Sequence, residues 1–125
     1  MIRRGLAALA ACHARAQKAA DTDWAQIVAL YDALAQVAPS PVVELNRAVA
    51  VGMAFGPAAA LEIVDALITE PSLASYPWLP SVRGDLLAKL GRWDEARAEF
   101  MRAAGMTRNK QERDLLLGRA GKTGD

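Results

Sequence analysis

Cys12 and His13 are the first residues of this chain whose side chains could act as a nucleophile, a base or metal ligands. Each is the single residue of its type, so no internal disulfide can form. Neighbouring side chains on a helix point about 100° apart, which prevents these two from sharing a substrate or a metal ion without distortion. We therefore expect a buried thiol and a surface imidazole.

Asp21 and Asp23 flank Thr22 just before Trp24 and form a closely spaced carboxylate pair near a predicted helix start. Two carboxylates could hold a metal ion or act as acid and base, but no histidine or third carboxylate lies close by in sequence. Asp23 is well placed to cap a helix that begins at Trp24. With no nucleophile–base pair elsewhere, the sequence predicts no catalytic residue, no cofactor and no metal.

Asn46 and Arg47 lie in an otherwise apolar helical segment, so their polar groups must reach solvent or find partners. In one interpretation Arg47 forms an internal ion pair with Glu44 or Asp65, and Asn46 binds a loop carbonyl. In the other, both side chains face a groove and hold a partner's backbone or carboxylate. Arg83 and Asp85, in a later segment, present the same two alternatives.

The composition favours helices and argues against nucleic acid or membrane as a partner. The chain has 125 residues, enough for one domain, and much of its apolar content is alanine. Lys and Arg number 15 against 14 Asp and Glu, so no global field attracts phosphates or anionic lipids. No apolar run approaches the ~18 residues of a membrane span, and a cytoplasmic location is expected.

Apolar residues recur at three- and four-residue steps along most of the chain, which predicts seven helices and no strand. Ser40 and Pro41 mark one helix start, and Gly56 and Pro57 mark the next. The last helix contains RDLLLGRA. There we expect two leucines to cover the preceding helices while three charged residues face water, namely Leu115 and Leu116, and Glu112, Arg113 and Arg119.

The helices are predicted to repeat as two-helix units. The equivalent residues Ile27, Ala60 and Ala96 are 33 and 36 residues apart, close to the period of about 34 in tetratricopeptide repeats. We therefore predict an all-α, tetratricopeptide-like right-handed array of antiparallel helix pairs. It would form a single domain over residues 1–120, with about three pairs and a closing helix, and a flexible tail would follow at 121–125.

The segment LGRWDEARAEFMRAA, together with the helix before it, shows which residue types such a unit requires. Gly84 and Ala96 would be the small residues where two paired helices approach most closely, with Leu87 and Phe100 filling the space beside them. Gly91 would supply the left-handed turn between the helices. An alanine-rich bundle without repeats is the alternative.

Several segments, in order, resemble the carboxy-terminal extension of a group of bacterial extracytoplasmic-function sigma factors: AACHARA, DTDW, LYDALAQVAPSPVVELNRAVAV, FGPAAALEIVDAL and RGDLLAKLGRWDEARAEF. The resemblance runs from about Leu6 to Arg119 and is most specific around PSPVVELNRAVAV. In that group a tetratricopeptide-like domain follows the regions that bind RNA polymerase and the promoter. The resemblance implies a non-catalytic domain that regulates or supports sigma activity through contacts with sigma regions or RNA polymerase.

This chain departs from the family because no sigma regions precede the resembling segments. It has no recognisable helix-turn-helix and no basic, aromatic promoter-melting segment, so we expect no promoter contact from this chain alone. We expect it to be a separated part of a longer protein, with Met1 not its natural start. A free-standing tetratricopeptide adaptor for an unrelated peptide or protein is the main alternative, and a small helical enzyme is a third.

The repeat register also predicts a docking groove. If Ala48 and Gly84 contact the second helix of their pairs, the residues three before and one after them point away from it. That surface suits a sigma linker or core region, although the chain's own tail or a second copy in a dimer would also fit it. The predicted lining is Leu45, Val49, Met53, Ser81, Asp85 and Lys89, with Asn46, Arg47 and Arg83 as polar neighbours.

Overall fold

The computed structural model describes residues 23–122, which contain six α-helices and no strand. A 3₁₀ turn, Pro71–Leu73, lies between the third and fourth helices. The all-α prediction is confirmed over this range. The helices are α1 (Trp24–Val37), α2 (Pro41–Phe55), α3 (Pro57–Asp65), α4 (Trp78–Lys89), α5 (Trp93–Met106) and α6 (Lys110–Lys122).

The predictions for the helix before Trp24, and for Cys12, His13 and Asp21, lie outside the described residues. Within residues 23–122, no helix has both the length and the apolar character needed to cross a bilayer.

The helix starts follow from capping side chains and prolines. The Asp23 carboxylate accepts a hydrogen bond from the backbone N–H of Gln26 at 3.0 Å, which confirms it as a cap. The Ser40 hydroxyl accepts one from the N–H of Val43 at 3.1 Å. Pro41 opens the next helix, where a missing N–H leaves no bond unmade.

The helices pack mainly against their neighbours in the chain, and α2 also touches α4 and the 3₁₀ turn. Two apolar clusters result, one between α1 and α2 and one from α2 to α6. Ile63 packs against both, so the core is continuous along the helices. The largest fully buried side chains include Ile27, Leu45, Leu79 and Phe100.

A close contact between α4 and α5 forms where Gly84 meets Phe100. A methyl group built at Gly84 would lie 2.8 Å from Cε1 of the Phe100 ring and 3.0 Å from its Cδ1. Ala96 and Leu87 are fully buried beside this contact. Gly91 has φ 76°, in the left-handed region, and turns the chain from α4 into α5 as predicted.

The last helix differs from the predictions in three respects. Leu116 is buried, but Leu115 is 66% exposed and so does not cover the preceding helices. Arg119 faces water only in part: its side chain is 41% exposed, and its guanidinium lies over the Phe100 ring, 4.3 Å from the centroid. The last helix runs through Lys122, which places residues 121 and 122 in α6 rather than in a flexible tail.

Gly84→Ala is expected to lower the free energy of unfolding by about 1–3 kcal/mol, because the new methyl group overlaps the Phe100 ring. Gly118→Ala is the control, since nothing lies within 4 Å of a methyl group there. It should raise stability by up to about 1 kcal/mol through helix propensity. Urea denaturation followed by circular dichroism measures both, and equal effects would contradict the close approach.

Ala96→Leu is expected to be far more damaging than Ala98→Leu. Ala96 is fully buried between α4 and α5, so added methylenes overpack the core at a cost of about 1–3 kcal/mol. Ala98 is exposed on the same helix, and the substitution there should change stability by less than about 0.5 kcal/mol. Thermal melts compare the two, and similar losses would show that the helix register is wrong.

Candidate protein-docking groove

A cavity of about 290 Å³ opens where α2, α4 and α6 meet. Five of the residues predicted to form a groove line it together: Val49, Met53, Ser81, Asp85 and Lys89. The rest of its wall is mostly apolar and comes from Gly52, Pro57, Trp78, Val82, Leu86 and Arg119.

Helical spacing brings these side chains to one face. On α4 the lining residues recur at three- and four-residue steps from Trp78 to Lys89, which is one side of a helix. Gly52 forms part of the floor on α2. A methyl group there would lie 3.1 Å from the Ala60 Cβ and 3.5 Å from the Leu86 Cδ2, so glycine allows α2 to approach α3 closely.

Leu45 departs from the prediction, because it is fully buried in the core and does not line the cavity. In addition to α3, α4 and the 3₁₀ turn pack against α2. Asn46 is half-buried and also lies outside the cavity lining.

Arg47 and Arg83 follow the structural interpretation rather than the groove one. Arg47 donates hydrogen bonds to Glu44, with Nε 3.1 Å from Oε1, and its Nη1 lies 3.5 Å from Asp32 Oδ1. The bond to Glu44 raises the pKa of the Arg47 guanidinium, against a smaller opposing effect of burial. Arg83 donates to Asp65 across 2.9 Å. Neither arginine lines the cavity.

These two arginines form the same contact at two successive places in the chain. Arg47 on α2 reaches Asp32 on α1, and Arg83 on α4 reaches Asp65 on α3. Asp32 and Asp65 lie five residues after Ile27 and Ala60, which are equivalent positions of the predicted repeat. Arg47 and Arg83 directly precede Ala48 and Gly84, which are a second pair of equivalent positions. The ion pair therefore recurs with the repeat. Asp65, predicted as one possible partner of Arg47, pairs instead with Arg83.

Asp85 is the electrostatic centre of the cavity wall. Its Oδ2 lies 3.0 Å from the Lys89 ammonium, and its Oδ1 accepts a hydrogen bond from Arg119 Nη2 across 2.9 Å. Arg119 in turn covers the Phe100 ring. The carboxylate thus links α4 to α6 and holds two cations beside it in the cavity wall.

A second cavity of about 340 Å³ adjoins the first and shares Trp78, Ser81 and Arg119 with it. We call the two adjoining cavities the α4 groove. The second one is lined in addition by Tyr76, Pro77, Glu112, Leu115 and Leu116.

Trp78, Leu115 and Arg119 also line the groove, although the sequence pattern did not identify them. Trp78 is 44% exposed and lies on the groove face of α4, three residues before Ser81. Helical spacing from Ser81 could have identified it. Arg119 gave no local signal, since it meets Asp85 34 residues away in sequence.

No family model matches this chain, and no solved structure matches it. It is similar to an uncharacterized protein of Rhizobium meliloti (strain 1021), with 49% identity over 106 residues. The match covers 85% of this chain and 25% of that protein. The chain therefore spans about a quarter of the length of this relative.

Asp85→Asn is expected to loosen α6 while leaving the rest of the fold intact, because it removes both ion pairs of the carboxylate. The pairs are partly exposed and screened, so the global loss should stay below about 1 kcal/mol. Amide hydrogen exchange should accelerate over residues 110–122. Asp114→Asn, at an exposed position of α6, is the control. Unchanged exchange in the Asp85 variant would show that Arg119 does not hold α6 in place.

Proposed function

We propose that this chain is a non-catalytic protein-interaction domain of an extracytoplasmic-function RNA polymerase sigma factor. In this proposal it forms a tetratricopeptide-like array that supports or modulates transcription initiation in the cytoplasm. Its partners are the sigma core regions or linker and RNA polymerase. The observation that carries the proposal is that Val49, Met53, Ser81, Asp85 and Lys89, selected from repeat register, surround one apolar cavity.

The packing supports the repeat architecture. Tetratricopeptide arrays stack helix pairs so that each unit contacts mainly its neighbours, and these helices do the same. The small residues Gly84, Ala60 and Ala96 lie buried at the expected helix contacts. The repeated arginine–aspartate pair between α1 and α2 and between α3 and α4 is also expected if equivalent positions meet at equivalent junctions.

The groove supports a role in binding protein. Its walls are mainly apolar, with a charged cluster at one end, and it is open along α4 rather than closed around a small volume. An elongated apolar surface with charges beside it suits a helix or linker segment. The resemblance to sigma-factor extensions selects the kind of partner. A relative about four times as long as the matched segment is consistent with a domain of a larger protein.

The alternative is a free-standing tetratricopeptide adaptor that binds an unrelated peptide or protein. The same groove would serve that role, since its geometry does not depend on which protein contains the bound segment. The genomic sequence upstream of the Met1 codon distinguishes the sigma-factor proposal from the adaptor alternative. Sigma regions in the same reading frame would support the sigma proposal, and their absence there would favour the adaptor.

Val49→Glu combined with Lys89→Glu should abolish tight binding to those sigma regions, produced as a separate chain. The first change places a charge in the apolar wall and the second reverses a charge at its end. We expect affinity to fall at least about tenfold, or ~1.4 kcal/mol. Isothermal titration calorimetry measures binding, and circular dichroism shows whether the helices remain.

The matched control is Val42→Glu with Lys110→Glu, which makes the same changes at exposed positions outside the groove. It should bind like the unmodified chain. Unchanged binding by a folded Val49/Lys89 double variant would remove the groove from the proposal.

A further inference from the structure

The length of the α4 groove sets the size of what can fill it. Its α4 wall extends from Trp78 to Lys89, about 16 Å at 1.5 Å per residue. The two cavities lie side by side along this wall and share Trp78, Ser81 and Arg119. A segment that fills both must therefore be elongated, and about three turns of α-helix match the span.

Large apolar side chains remain exposed around this span. Met53 is 50% exposed, Trp78 44% and Leu115 66%. They belong to α2, α4 and α6, so they surround the groove from three helices. Covering them removes apolar area from water, and a helix with apolar residues at i, i+4 and i+7 presents the required stripe.

The two ends of the groove carry opposite charges. Lys89 lies at one end. Its ammonium forms an ion pair with Asp85, and its side chain is half exposed. Glu112 lies in the wall of the other cavity, where one carboxylate oxygen accepts the Thr107 hydroxyl across 2.8 Å. Between these ends, Asp85 and Arg119 neutralise each other. The groove is therefore positive at the Lys89 end and negative at the Glu112 end.

We propose that the α4 groove binds a dipolar amphipathic helix of about three turns. Its apolar stripe covers Met53, Trp78 and Leu115, its acidic end meets Lys89, and its basic end meets Glu112. This inference rests on the proposed function as a protein-binding domain and specifies the chemistry of the segment bound. Charge complementarity of this kind fixes orientation and selects against wrong partners.

Three synthetic peptides of about four helical turns test the inference against the full chain. All carry leucines at i, i+4 and i+7 on a neutral, helix-forming background. The dipolar peptide has Lys near one end and Glu near the other, about eleven residues apart, and the others have Glu at both ends or Lys at both ends. Fluorescence anisotropy at low salt should show the dipolar peptide binding about two- to fivefold more tightly than either of the others.

Charge reversal in the protein should change this order. Lys89→Glu makes both ends of the groove negative and should favour the peptide with two lysines. Glu112→Lys makes both ends positive and should favour the peptide with two glutamates. Lys110→Glu is the control, because Lys110 lies on the side of α6 opposite Arg119 and should leave the order unchanged. The differences should shrink as salt is added.

Failure to bind any of the peptides would overturn the inference, as would one fixed order in all variants. No peptide would bind if the chain's own segments or a second copy covered the groove. Failure of the proposed function is a separate outcome. Sigma regions that bind while every peptide fails would overturn the dipolar helix alone. Peptides that switch as expected while sigma regions fail to bind would overturn the sigma proposal alone.

Discussion

The missing side chain at Gly84 is the constraint on which the rest of the groove depends. Because no Cβ is present, the Phe100 ring lies against the backbone of α4 and brings α5 close. The Arg119 guanidinium lies over the same ring, 4.3 Å from its centroid. Arg119 is thereby held in reach of Asp85, which also binds Lys89. One glycine thus sets the distance between two helices and, through an aromatic ring, the charge pattern of a surface formed with a third.

Polar contacts divide between two tasks in this molecule. The ion pairs of Arg47 and Arg83 join α2 to α1 and α4 to α3, and they keep these arginines away from the groove. Asp85 instead faces the groove and organises the cations around it. The first set acts within the fold, and the second shapes the surface that we propose to be recognised. Arg83 and Asp85 lie two residues apart on α4 and point to different sides of the helix, so one helix serves both tasks.

Local signals predicted most of the helices, since each depends on residues close in sequence. Caps such as Ser40, the turn at Gly91 and the apolar periods were all visible in the chain. Repeat register extended this to long-range contacts, because equivalent positions meet equivalent neighbours, and it placed five residues at one cavity. It failed for Leu45, since register describes contacts within a helix pair but not what the next helix covers.

Arg119 marks another limit of sequence reasoning. Amphipathic pattern assigns a charged residue to solvent, but the planar guanidinium of Arg119 lies over an aromatic ring while its Nη2 donates to a carboxylate. That contact depends on the position of α6, which no local pattern determines. Leu115 lies one helical turn before Arg119 on nearly the same face, so both line the second cavity, and the leucine stays 66% exposed there.

The nearest-neighbour packing of the helices has a consequence for how the protein comes to be folded. Each helix finds its main partner a short distance along the chain, so little loop-closure entropy must be overcome before contacts form. Topologies of this low contact order fold on the order of microseconds to milliseconds. Folding can therefore advance one helix at a time during synthesis, with each new helix docking on the one already made. The α4 groove, which needs α2, α4 and α6 together, would be the last surface to be completed.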